Sequence, residues 1–223
     1  SGVRRNMSRP VRVFCMTEHA EGLHPDIEIL PLPVEPFAEP MAAALAVANR
    51  QGAMRKVSLF RPGLIPDLEG PILGFDLDVV ITGNLDEIHD LATGHGSVFR
   101  FDPARHAFLY EDLAANPYAE VETARGSEQR YTSHKAMDRD MFTYIPEPWV
   151  VSFKYDCNPF PRNWFTPPQL PADARVVCFH GRPKMTDALE GWNGSFIRHS
   201  KPCDWLADHW IARTHADLGA DWA

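Results

Sequence analysis

Residues 71–82, PILGFDLDVVIT, form the most apolar stretch of the chain, and two carboxylates, Asp76 and Asp78, are set inside it. Its length and β-branched tail predict a central strand of the parallel type, buried on both faces. An unpaired carboxylate in such a run is costly, so each acid needs a compensating charge or an edge position. Strand alternation points Asp76 and Asp78 to one side. There they can share a hard divalent cation, for which oxygen ligands are the natural choice. The plainer alternative is two acids at a strand end, capping a turn or pairing with arginine. D-x-D is short and common, so the motif needs support from the rest of the chain.

Outward from this strand, periodicity alternates between sheet and helix. Upstream, residues 11–16 (VRVFCM) and 27–32 (IEILPL) read as strands, 41–49 (MAAALAVAN) as a helix, and 56–60 (KVSLF) as the close of a further helix ahead of Pro62. Downstream, Gly83 and Asn84 turn into a short helix over 85–91, followed by a strand over 97–101. Asp102 is a good N-cap with Pro103 at the first helical position, for a helix to about Asn116. A helix over 129–137, a strand over 149–153, a proline-rich loop over 159–171 and a last buried strand over 175–179 follow. Beyond Pro202 an amphipathic helix carries Trp205, Leu206, Trp210 and Ile211 on one face. The pattern predicts an α/β fold around a mostly parallel or mixed sheet.

The 223 residues suit one domain, read as 1–223 with a helical extension from about 186. A hydrophobic fraction of 44% with six Trp implies a packed core, and a net charge of -8 argues against nucleic-acid backbones as partners. Cys15, Cys157, Cys178 and Cys203 include no C-x-x-C pair and read as free thiols in a reducing compartment. No stretch reaches the ~20 apolar residues of a membrane span. The opening, SGVRRNMSRPVRVFCM, reads as helix end, turn and strand rather than a signal peptide, so the chain is expected to begin within the fold.

Two further segments carry chemistry. Cys178-Phe-His180-Gly181-Arg182-Pro-Lys184 ends a buried strand with a metal-capable imidazole, a glycine that allows close backbone approach, and two phosphate-capable cations. Lys56-Val-Ser-Leu-Phe60 lies twenty residues before the first acid, where the bland reading is a lysine with its stem along apolar surface.

In order, K-V-S-L-F, then D-L-D-V-V-I-x-G-x-L-D, then V-x-F-H-G-R-P-K resembles bacterial glycosyltransferases of the GT-A type, distantly akin to glycogenin and galactosyltransferases. Residues 126–130 (GSEQR) fall where such enzymes carry G-D-Q, with Glu128 in place of aspartate, and Met185 replaces a usual tryptophan. The resemblance implies a Rossmann-like mixed sheet flanked by helices. It implies Mn²⁺ or Mg²⁺ held by Asp76, Asp78 and His180 against the diphosphate of a donor that is a UDP-sugar by analogy. Lys184 and Gly181 then lie at the leaving phosphate, Lys56 and Asp76 at the donor, and Glu128 and Gln129 near the transferred sugar. The partner is a hydroxyl acceptor, whether glycan, lipid or small molecule, and a homo-oligomer is compatible with the sequence. Kinship with glycogenin implies retention; inversion needs a base, for which Glu128 is the first candidate. The implied location is cytoplasmic, free or peripheral at the inner membrane. Such enzymes also carry a nucleotide-binding strand where nothing before residue 11 resembles one, and an extra strand where 91–96 (LATGHG) is short. The alternative is therefore a degenerate nucleotide-sugar binder or scaffold on the same fold. A phosphatase-like hydrolase demands more carboxylates than the chain offers.

Overall fold

The computed structural model describes residues 2–50, 54–68, 70–90 and 94–210, the side chains of residues 94 and 95 excepted. The order is α1 (Gly2–Arg5), β1 (Val13–Met16), β2 (Ile27–Leu30), α2 (Ala38–Val47), a 3-10 helix at Arg55–Phe60, β3 (Ile72–Phe75), β4 (Val79–Ile81), α3 (Asp86–Asp90), β5 (Gly94–His95) and β6 (Val98–Phe101). Then come α4 (Pro103–His106), α5 (Phe108–Ala115), α6 (Pro117–Thr123), α7 (Glu128–Met137), β7 (Val150–Ser152), a π-turn at Phe153–Cys157 and a 3-10 turn at Arg162–Trp164. The described part ends with β8 (Val176–Cys178), α8 (Met185–Glu190), the β9–β10 hairpin (Trp192–Asn193 and His199–Ser200) and α9 (Leu206–His209). The class is mixed α/β.

The run 71–82 is not one strand. It breaks at Leu77, which is 91% exposed, and passes from one sheet to another. β3 pairs antiparallel with β6, and the Asp76 amide donates the last bond of that side to the Ser97 carbonyl at 3.0 Å. The Asp78 carbonyl then accepts from the Phe179 amide at 2.8 Å, opening the antiparallel β4–β8 ladder. The central parallel strand is thereby corrected to two short antiparallel ones. The physical reason is the pair of carboxylates: a ladder continuing through both would bury them between apolar layers, so the chain turns and lets each reach a cation.

Among the described residues four small sheets form: β1–β2, β3–β6–β5, β4–β8–β7 and β9–β10. Of the β4–β8–β7 sheet, β7 and β8 run parallel and β4 antiparallel. Both faces are covered. Val80, Val177 and Val151 join Phe153, Phe179, Ala188 and Leu206 on one side. Ile81, Val176 and Val150 join Leu85, Ile88 and Ile145 on the other. That double burial explains the near-continuous apolar runs. A third cluster packs Phe60, Phe99 and Phe101 against Leu45, Leu109, Leu113, Val121 and Tyr131 of the helices.

Local rules held where backbone chemistry decides. The Asp102 side chain accepts from the Ala104 and Arg105 amides, with Pro103 at the first turn. The helix expected to Asn116 divides at Ala107 into α4 and α5, and Pro117 starts α6. Residues 56–60 form 3-10 rather than α-helix, ending where Arg61 (ψ 125°) is held extended by the following proline. The helix beyond Pro202 is one turn, α9, and Ile211 lies outside the described residues. Cys157, Cys178 and Cys203 are buried free thiols pushed up to about 12 by burial. No described helix is long and apolar enough to cross a membrane.

Candidate functional site

One edge of the β4–β8–β7 sheet gathers the chemistry. Val79, Cys178 and Ser152 are level in the register. Just beyond that level lie Asp78 before β4, Phe179-His180-Gly181 after β8, and Phe153-Lys154 after β7. Ligands of open α/β sheets settle at the carboxyl ends of parallel strands, and β7 and β8 both end here.

Against this edge opens a cleft of about 340 Å³ whose lining includes Arg50, Lys56, Asp76, Glu128, Gln129 and His180. Lys56 is its hub. The ammonium lies 2.8 Å from Asp76 Oδ1, 3.2 Å from Glu128 Oε2 and 3.4 Å from the Gly96 carbonyl oxygen, with the Phe99 ring centroid at 5.7 Å. Burial opposes the charge on Lys56, yet Glu128 and Asp76 outweigh it and hold its pKa above the ordinary lysine value. Glu128 goes the other way from a simple ion-paired acid. Burial raises its pKa more than Lys56 lowers it, and Asp76 adds repulsion.

Local structure aims these groups. Ser127 caps α7 by accepting from the Arg130 amide, which places Glu128 and Gln129 in the first turn. Gly126, at φ 65°, makes the entry, and a Cβ there would come within 2.7 Å of Arg50 Cγ. At Gly96 a Cβ would meet the end of the Gln129 side chain at 2.4 Å, so a larger residue there would displace Gln129 from its present place.

Asp78 and Lys184 form a second pair, 2.8 Å apart, outside the lining of that cleft. Lys184 Nζ also donates to the Phe179 carbonyl at 3.3 Å, and its amide donates to Asp187 Oδ2 at 2.8 Å, which starts α8. Gly181, at φ 66°, passes so close that a Cβ would lie 3.4 Å from Lys154 Nζ. Burial lowers the Lys154 pKa, with Arg198 and Lys184 adding to the effect.

Of the predicted site residues, Lys56, Asp76, Glu128, Gln129 and His180 share one cleft, and Asp78, Gly181 and Lys184 lie beside it. Among the described residues no three His, Cys, Asp or Glu side chains converge at metal-ligating spacing. Each aspartate instead faces its own lysine, because the strand alternation that would align them stops at Leu77. Pairing with a cation was the plainer expectation, and the cations are lysines rather than arginines. Donor chemistry nevertheless suits a divalent ion, with two carboxylates and an imidazole on hydrogen-bonded neighbouring segments. Lys154 and Arg50 escaped the sequence reading. Lys154 follows a buried strand with no motif around it; a lone lysine directly after a strand end, between Phe153 and Tyr155, was the available signal.

The Glu128 environment makes a pH prediction. Its native pKa is raised, so the folded chain holds the proton at a pH where the unfolded chain, near 4.5, has lost it. This contribution is full below the unfolded pKa and is lost as pH rises through the native one. Glu128→Gln lacks it. The melting midpoint of Glu128→Gln relative to wild type is therefore expected to climb as pH is raised from the acid range to neutrality. A difference that falls over that range refutes the assignment. Compared with known proteins, the chain matches no family model and no curated sequence.

Proposed function

We propose that this chain is a metal-assisted glycosyltransferase of the GT-A type, moving a hexose from a UDP-sugar to a hydroxyl acceptor. The observation that carries the reading is the meeting of Lys56, Asp76, Glu128–Gln129 and His180 in one cleft, at the strand ends where α/β sheets bind ligands. These residues come from the separate segments whose order resembles the family. The GT-A fold belongs to the proposal: four small sheets support a mixed α/β layer around the site, and the resemblance supplies the rest.

Asp76, Asp78 and His180 would hold Mn²⁺ or Mg²⁺, which stabilises negative charge on a leaving nucleoside diphosphate. For the carboxylates to serve, Lys56 and Lys184 must yield them, and both lysines then become free to face phosphate oxygens. Lys184, and Lys154 beside Gly181, supply positive charge where the diphosphate leaves. The left-handed backbone at Gly181 lets an anion approach Lys154 closely. Glu128 sits beside Lys56 with its pKa raised by burial, which suits it to accept a proton from an acceptor hydroxyl if the anomeric centre inverts. With retention, Glu128 and Gln129 position the sugar instead.

The lysine-paired aspartates favour a second reading, a nucleotide-sugar binder without turnover, since such pairs leave the acids neutralised. Incubation with a panel of UDP-sugars and Mn²⁺ separates the two. Transferase predicts Mn²⁺-dependent release of UDP, and thermal stabilisation by donor plus metal. Stabilisation with no UDP release across the panel establishes the binder, and neither response overturns both readings.

A further inference from the structure

Two loops outside the lining of the cleft build an aromatic platform. The loop through the Arg162–Trp164 turn and the β9–β10 hairpin are stitched together by Trp164 Nε1 donating to the Phe196 carbonyl at 2.7 Å and by Asn163 donating to the Ile197 and His199 carbonyls, each at 3.0 Å. Lys201 Nζ donates to the Phe165 carbonyl at 3.0 Å. Trp164 stacks on His199 with centroids 4.6 Å apart, and Phe196 sits 5.5 Å from Trp164 and 5.9 Å from Phe160. So fixed, the platform still leaves its apolar tips in the open: Phe165 is 75% exposed, Phe196 72% and Ile197 61%. Ordinary packing does not explain bulky side chains pinned outward on adjoining loops.

Charge identifies what covers them. The chain carries -8 overall, yet residues 157–171 and 192–201 contain Arg162, Arg198 and Lys201 and not one Asp or Glu. Two segments that are basic and free of Asp and Glu, with protruding Phe, Trp and Ile, are complementary to an anionic, amphiphilic surface. A stacked sugar would use flat ring faces; here one Trp164 face is taken by His199 and an aliphatic Ile197 shares the tip.

We infer that the Arg162–Trp164 loop and the tip of the β9–β10 hairpin dock this protein onto an anionic phospholipid bilayer, with Phe165, Phe196 and Ile197 entering the headgroup boundary and Arg162 and Arg198 meeting lipid phosphates. The docking is independent of the reaction proposed for the cleft. Sedimentation with vesicles of equal parts phosphatidylglycerol and phosphatidylcholine tests it, with pure phosphatidylcholine as control. The protein is expected to pellet with the anionic vesicles and not with the neutral ones, less so as salt rises. Phe165→Ser/Phe196→Ser is expected to lower partitioning about tenfold, and Arg162→Glu/Arg198→Glu to abolish it at low salt. Circular dichroism checks that both variants fold. Should either fail to fold, quenching of wild-type tryptophan fluorescence by phosphatidylglycerol with brominated chains gives the answer, since Trp164 lies at the boundary. Absence of pelleting, absence of quenching, pelleting undiminished in folded variants, or retention on a dextran column without vesicle binding overturns the inference.

Discussion

Asp78→Asn is expected to lower Mn²⁺-dependent turnover of the donor by about 10²–10³-fold, the range found when a group stabilising a developing charge is removed. Folding should be nearly untouched. The Asp78–Lys184 pair is 2.8 Å long, but the lysine and aspartate side chains are 42% and 30% exposed. A pair so open to solvent contributes at most ~1 kcal/mol, and an asparagine oxygen can still accept from Lys184. The variant thus separates chemistry from stability. A melting midpoint close to wild type with turnover lost supports Asp78 as a site residue. Full turnover with Asp78→Asn removes it from the mechanism and leaves the D-x-D segment as a strand crossover. Stereochemistry of the isolated product then decides between retention and inversion, and with it the part played by Glu128.

Phe179→Ala is expected to be the most destabilising single truncation near the site, by about 3–5 kcal/mol. Phe179 is fully buried and stacks on the equally buried Phe153, with centroids 4.4 Å apart and planes 20° from parallel. The two rings occupy corresponding places after the parallel strands β8 and β7, where Ser152 and Cys178 are level. They tie together the strand ends from which His180 and Lys154 emerge. For a chain of this size the loss corresponds to a fall in melting midpoint of roughly 6–20 °C. Phe153→Ala should cost a similar amount, and the double variant less than the sum, because each single truncation already removes the shared contact. Denaturant titration measures all three. A loss under about 1 kcal/mol for Phe179→Ala means that the stack does not hold the sheet edge together.

Much of the local structure was legible in the sequence. Asp102-Pro103 dictates a helix start by hydrogen bonding and a fixed φ. The runs at 149–153 and 175–179 announce strands, the second a buried one, and β7 and β8 form there. A resemblance in the order of four segments singled out residues that the fold does gather around one sheet edge. The C-terminal helix was overextended, because a stripe of Trp and Leu reports burial and not helix length; β9 and β10 were missed, being too short to show a period.

What the sequence by itself determined is which segments are apolar enough to be buried, where backbone chemistry starts or stops an element, and that two acids inside residues 71–82 demand compensation. What only the tertiary structure decided is how that demand is met. Lys56 and Lys184 lie 20 residues before Asp76 and 106 residues after Asp78. Ser97 and Phe179 take up the backbone bonds on either side of Leu77. Alternation along a strand is a local rule, and it ends where long-range partners pull neighbouring residues toward different cations. The same holds for Lys154: nothing adjacent in the chain marks it, and its place beside Gly181 exists because β7 lies parallel to β8.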